Sequence, residues 1–256
     1  MAAAPMAAHA ADLTLKLTSF PNGNHKYYHR LLEESLKAAG HTVRIQSQGN
    51  LPQPRILAYL DDGDLTLHWM LQTKERDAKY VVVNHKLTQG LIGQRIMLVS
   101  KDDEDAYAKV KSLEDFRATG KVAGLGQGWF DVGVWNESGL GVREQGGDWR
   151  NLYAMLASKN RGIDYFPRGA IEIVAEAKDN PNLAIEKHLM LVYPRDFVFY
   201  LSKANAGLKP VIEAALRQAE KSGLQKKLID ESFGPSIASL GLDKRTRITL
   251  KNPSNN

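Results

Sequence analysis

Three stretches of the chain place chemically capable side chains just beyond apolar, strand-like runs. In "LTLHWMLQTKER" the run carries His68 and Trp69 at its end, and Thr73 and Arg76 follow. In "VAGLGQGWFD" Trp129 and Asp131 come after the run, at the start of a helical pattern. In "GIDYFPRG" Tyr165, Phe166 and Arg168 close it, with Arg168 held between Pro167 and Gly169. Ligands of open α/β sheets collect at the carboxyl ends of strands and against helix N-termini. Guanidinium groups give bidentate, charge-assisted bonds to carboxylates and phosphates. Indoles give flat apolar walls and one N–H each. Singly, each residue has a plain structural use, Arg76 in a surface ion pair or Trp69 in a core. As a set they predict a ligand cleft.

The signatures of common enzymes are missing. There is no G-x-S-x-G elbow, no Walker loop and no H-E-x-x-H. The glycines of "GLGQGWF" break the dinucleotide spacing after Gly128. The chain has no cysteine, which excludes thiolate-bound zinc, thiol catalysis and disulfides. His25 and His29 stand four apart on a helix, but no third ligand is near in sequence, so they read as a solvated face. No cofactor and no metal is expected. The net charge of +5 is dispersed, with no basic cluster interleaved with aromatics. That disfavours nucleic acid and suits a binder of small anions.

The elements that must position these residues follow from periodicity. "LTLKLT" alternates as a strand. Asn24 reads as an N-cap for the helix "KYYHRLLEESLKAAG", whose Leu31, Leu32, Ser35, Leu36 and Ala39 share a face and which Gly40 stops. "HTVRIQSQ", the helix "PRILAYLDDGD" and "LTLHWML" continue a strand–helix alternation, the pattern of a parallel sheet with helical crossovers. "GLIGQRIMLVS" and the segments to about residue 190 repeat it, which predicts a second α/β lobe. "LMLVYPRDFVFYLSK" reads as a long β-rich run, and "AGLKPVIEAALRQAEKSGLQKKLIDESF" as long helix. No apolar run is long enough to span a bilayer. The alanine-rich start, ending Ala8-His9-Ala10, resembles the tail of an export signal, which predicts a periplasmic location.

In order and motif, residues 13–235 resemble the type II periplasmic solute-binding proteins, in the group that includes polar amino-acid binders. "ILAYLDDGDLTLHW", "VKSLEDFRATGKVAGLGQG" and the closing "GLKPVIEAALRQAEKSGLQKKLIDESFG" carry the resemblance. Narrower motifs ("GLIGQR", "GQGWFDVGVW", "NLYAML", "IDYFPRG", "LKNP") resemble a little-characterised branch. The resemblance implies a two-lobed α/β fold, each lobe a mostly parallel sheet flanked by helices, with a hinge of two crossovers. Residues 1–12 would be residual signal, 13–97 with 201–240 one lobe, 98–200 the other, and 241–256 a tail. "TKERDAKYVVV" is similar to the family's Thr-x-x-Arg step, which puts Arg76 on a ligand carboxylate. Gly128-Trp129 replaces the family's Gly-Thr donors. Arg168 stands near where amino-acid binders carry an acid for the ligand's ammonium, which favours an anion, though Asp131 or Glu172 remains for an amine.

The implied function is capture of a small anionic or amino-acid-like ligand by a monomer, with Trp69, Thr73, Arg76, Gly128, Trp129, Asp131, Tyr165, Phe166 and Arg168 around it. Closed protein would be delivered to an ABC transporter or a sensor, without catalysis. Two alternatives remain open. One is a cyclohexadienyl-dehydratase-like enzyme using Asp131, Asp164 or Glu172 as general acid. The other is an orphan sensory module.

Overall fold

The computed structural model describes residues 11–21, 23–49, 51–159 and 161–253. The proposed signal remnant at residues 1–10 lies outside them; Asp12, assigned to that remnant, instead opens the first strand. In chain order the elements are β1 (Asp12–Ser19), α1 (Lys26–Ala38), β2 (Thr42–Gly49), α2 (Gln53–Asp62), β3 (Leu67–Leu71), α3 (Lys74–Lys79) and β4 (Val81–Val83). Then come β5 (Gln94–Ser100), α4 (Leu113–Ala118), β6 (Val122–Gly126), α5 (Phe130–Glu137), β7 (Gly141–Gln145), α6 (Asn151–Ala157), β8 (Phe166–Gly169) and α7 (Ile173–Asp179). The last are β9 (Leu183–Ile185), β10 (Leu189–Val192), β11 (Phe197–Leu201), α8 (Lys209–Lys221), α9 (Leu224–Leu240) and β12 (Thr246–Thr249).

The described chain divides into two compact units. One runs to Met70 and takes in Ala78–His85 and Val198–Ser232; the other holds Leu71–Asp77, Lys86–Phe197 and everything from Phe233 on. The boundaries expected from sequence and this division differ over residues 71–77, 86–97, 198–200 and 233–256. The first unit pairs β1 with β2 in parallel, and lays β11 between β3 and β4, antiparallel to β4. Helix α1 buries Tyr27, Tyr28, Leu31, Leu32, Ser35 and Leu36 along one stripe, as its 3.6-residue period requires. Gly40 adopts φ +91°, and His41 donates back to the Leu36 carbonyl, so the helix ends on a glycine as expected. Its N-cap position, however, falls on His25, and no side chain caps it; Asn24 does not take that place.

In the second unit β5 is central. Ile96 and Leu98 enter one core with Leu152, Phe166 and Ile173, while Met97 and Val99 enter another with Tyr107, Trp135 and Tyr165. Alternate side chains of an extended strand point to opposite faces, so a strand apolar at both parities must be covered on both. Helix α4 starts on a capping box: Ser112 Oγ accepts from Asp115 N–H, and the Asp115 carboxylate accepts from Ser112 N–H. The mostly parallel sheets expected are instead mixed. β6/β7 and β10/β12 run parallel, whereas β5 is antiparallel to β8, β9 and β10. The "LMLVYPRDFVFYLSK" run is two strands, β10 and β11, which the Tyr193–Asp196 segment separates. The last strand, β12, is part of this unit, with Ile248 and Leu250 in its core. Among the described residues no helix is long and apolar enough to cross a membrane.

Candidate functional site

A recess of about 170 Å³ in the second unit is lined by Thr73, Glu75, Arg76, Gly128, Trp129, Phe130 and Gly133. Two elements make it. The segment after β3 turns into α3, where Thr73 Oγ1 accepts from the Arg76 N–H at 3.2 Å. The Arg76 guanidinium donates from Nη1 to the Leu71 carbonyl at 2.6 Å, which orients its planar fork. The opposite side is the turn from β6 into α5. Gly128 takes φ +72°, a left-handed conformation that a side chain would strain, and Trp129 occupies the N-cap position of α5. Gly133 follows at i+4, on the same helical face as Trp129, and Phe130 lines the recess beside it.

The indole of Trp129 is held from below. A Cβ on Gly126 would lie 2.3 Å from it, so the ring sits where only glycine admits it. It stacks on Phe166, with centroids 6.1 Å apart and an interplanar angle of 29°, and meets Trp149 edge-on at 5.4 Å.

Four of the nine residues expected around a ligand line this recess: Thr73, Arg76, Gly128 and Trp129. Trp69 belongs to the first unit. There it is buried, stacked on Tyr28 with centroids 4.5 Å apart, and edge-on to Phe20 and His29. His29 Nε2 donates to the Thr18 carbonyl at 2.8 Å, and His25 Nδ1 accepts from the Phe20 N–H at 2.9 Å. Burial holds both histidines below their usual pKa. His25 and His29 are therefore part of an aromatic nest rather than a solvated face. Among the described residues no group of acids and histidines could hold a metal ion.

Tyr165 and Phe166 are fully buried, and the Tyr165 hydroxyl accepts from Trp135 Nε1 at 3.0 Å. Asp131 is buried and paired with Arg95 at 2.8 Å, and it accepts from the Tyr193 hydroxyl at 2.7 Å. Arg168 is buried as well. Its Nε and Nη2 donate to Glu176 at 2.6 and 2.7 Å, and Nη2 lies 3.2 Å from Glu172. The expectation that Arg168 reaches a ligand is corrected by this geometry: its charge is spent on two carboxylates. A buried guanidinium without such partners would be prohibitively costly. Pro167 and Gly169 thus present the arginine inward, to α7.

The three acids weighed as general acids are also engaged. Asp131 serves Arg95, Asp164 lies 2.8 Å from Lys121 and accepts from the Val122 N–H, and Glu172 accepts from the Gly169 N–H. Burial raises the Glu172 pKa against the opposing pull of Arg168. None of the three lines the recess. Sequence reasoning missed Glu75, Phe130 and Gly133. The helical spacing from Trp129 could have found Gly133. It also missed Arg95 and Tyr193, whose partners are far away in the chain, and Glu176, which meets Arg168 from the helix that follows it.

No protein-family model matches the chain, and neither does any curated protein. Solved structures do. A Salmonella typhimurium periplasmic binding protein with high arginine specificity matches with TM-score 0.62 at 16% identity, over 86% of this chain and 99% of that one. A Silicibacter pomeroyi periplasmic His/Glu/Gln/Arg/opine family-binding protein, in complex with lysine, matches with TM-score 0.61 at 13% identity, over 86% and 97%. A mutant of the T. maritima arginine-binding protein matches with TM-score 0.59 at 21% identity, over 87% and 95%. At these identities the shared property is the fold, that of the periplasmic amino-acid-binding proteins.

Proposed function

We propose, from a fold shared with periplasmic amino-acid-binding proteins, that this chain is an extracytoplasmic solute-binding protein. Its ligand is a small carboxylate, amino-acid-like or otherwise anionic, held at the recess of Thr73, Arg76 and the Gly128–Phe130 turn. The observation that supports this reading most is the meeting of Arg76 with the N-terminus of α5 in one recess. A guanidinium and a helix N-terminus both favour an anion. Asp131, in the first turn of that helix, would oppose one, but Arg95 neutralises it. Glu75 is the acid at the recess wall and the natural partner for a ligand's ammonium. Trp129 and Phe130 give the apolar surface.

The compensated state of Arg168 removes the reason to prefer a second carboxylate. The engaged state of Asp131, Asp164 and Glu172 disfavours a dehydratase. The chain would hand its ligand to an ABC transporter or a sensor in the periplasm, acting as a monomer.

The test is calorimetric titration and thermal shift with L-arginine, L-glutamine, L-lysine, succinate and inorganic phosphate. A true ligand at a hundred times its dissociation constant adds about 2.7 kcal/mol to stability. Arg76→Ala should abolish that gain. A panel with no binder, or an Arg76→Ala protein that binds as before, would sink the reading.

A further inference from the structure

Beneath the recess lies a row of five buried or half-buried charges that alternate in sign. Asp131 pairs with Arg95 at 2.8 Å, Arg95 approaches Glu172 at 3.6 Å, Glu172 approaches Arg168 at 3.2 Å, and Arg168 pairs with Glu176 at 2.6 Å. The Tyr193 hydroxyl closes one end, accepting from Arg95 Nε at 2.8 Å and donating to Asp131. The row joins the first turn of α5, strand β5, the β8–α7 turn, strand β8 and helix α7. Three aromatic rings surround its Arg168 end. The guanidinium carbon lies 4.9 Å from the centre of Trp149, 5.1 Å from Phe166 and 5.4 Å from Trp129. A guanidinium over aromatic faces is attracted to them, and more strongly when water is excluded.

Only Trp129 belongs to both this cage and the recess. The other end of the row holds Asp131, two residues further along the same turn. We propose that Arg168 is a positioning residue for the recess: without touching a ligand, it fixes the Trp129 indole that forms one wall. Trp129 is half-buried and lines the recess. Its angle therefore depends on what packs against it, and that is Arg168, Phe166 and Trp149 together with the Gly126 backbone. Lysine at this position would keep the charge but lose the planar stack and the two-point grip on Glu176. This inference rests on the binding reading above only for its effect on affinity; the placement of the indole can be read without any ligand.

The experiment uses the full chain labelled with 5-fluorotryptophan. Its four tryptophans give separate fluorine resonances, and Trp129→Phe identifies the one from Trp129. In Arg168→Lys the Trp129 and Trp149 resonances should shift or broaden while those of Trp69 and Trp135 stay in place. A general loss of packing would move all four. Any probe among L-arginine, succinate and inorganic phosphate that binds the parent protein should bind Arg168→Lys about tenfold more weakly, within the range of a partly desolvated cation–π contact. An unmoved Trp129 resonance overturns the proposal, as does a moved one with unchanged probe affinity. If Arg168→Lys does not fold, Trp149→Phe, which leaves the charges intact, is read the same way: a Trp129 resonance still in place then counts against the cage. If no probe binds the parent, the binding reading fails, and the resonances alone decide whether Arg168 holds the indole.

Discussion

Arg76 and Glu176 are both partners in ion chemistry, yet their loss should register differently. Arg76 is half-buried at the recess, so Arg76→Ala should remove binding and leave the denaturation midpoint nearly unmoved. Glu176 is buried against Arg168. Glu176→Ala strands a guanidinium without its main partner, and chemical denaturation should show a loss of about 3–5 kcal/mol. The histidines of the first unit make a prediction in pH. Burial depresses the folded-state pKa of His25 and His29 below the unfolded value of 6.5. The unfolded chain then binds more protons in that window, so their contribution is present above pH 6.5 and is lost as pH falls through the depressed values. Melting temperature should drop on acidification below about pH 6.5, and the drop should shrink in a His25→Asn, His29→Gln double variant. An equal drop in that variant would assign the effect to other groups.

The elements that place these residues depend on close approach as much as on periodicity. Gly126→Ala puts a methyl group 2.3 Å from the Trp129 ring. The indole must leave, and the expected cost is about 1–3 kcal/mol, measurable by urea denaturation together with a changed near-ultraviolet signal. Elements such as β1, α1, β2, α2, β3, β5 and α8 were legible in the sequence, because strand alternation, helical faces and the glycine stop at Gly40 are local signals, whereas the short α3, β4, β7 and β9 were not read. What was not legible is non-local. Whether β5 runs parallel or antiparallel to β8 depends on partners some seventy residues apart, and no periodicity encodes it. The site divided along the same line. Thr73, Arg76, Gly128 and Trp129, expected from their places after strands, do line one recess. Arg168, at a strand end of the same appearance, was misjudged because its partners Glu172 and Glu176 lie on the next helix, and spacing alone does not say which way a side chain turns.

At the scale of the whole chain, each unit is discontinuous. The second needs Phe233 and beyond, for β12 pairs with β10 and Arg245 donates to the carbonyls of Glu186 and Leu189. A fragment of residues 86–197 would leave that edge of β10 bare and the core without Ile248 and Leu250. It should stay unfolded by amide hydrogen exchange, and a peptide of residues 233–253 added in trans should restore protection. A fragment that folds unaided would show β12 to be dispensable. The position of β12 also sets an order in time. A chain emerging from the ribosome completes its early strands long before Thr246–Thr249 exist, and at a synthesis rate of about 5–20 residues per second the β10 edge waits several seconds for its neighbour. During that interval the half-built core stays loose, and any machinery that acts only on unfolded chains has its opportunity before the last strand is made.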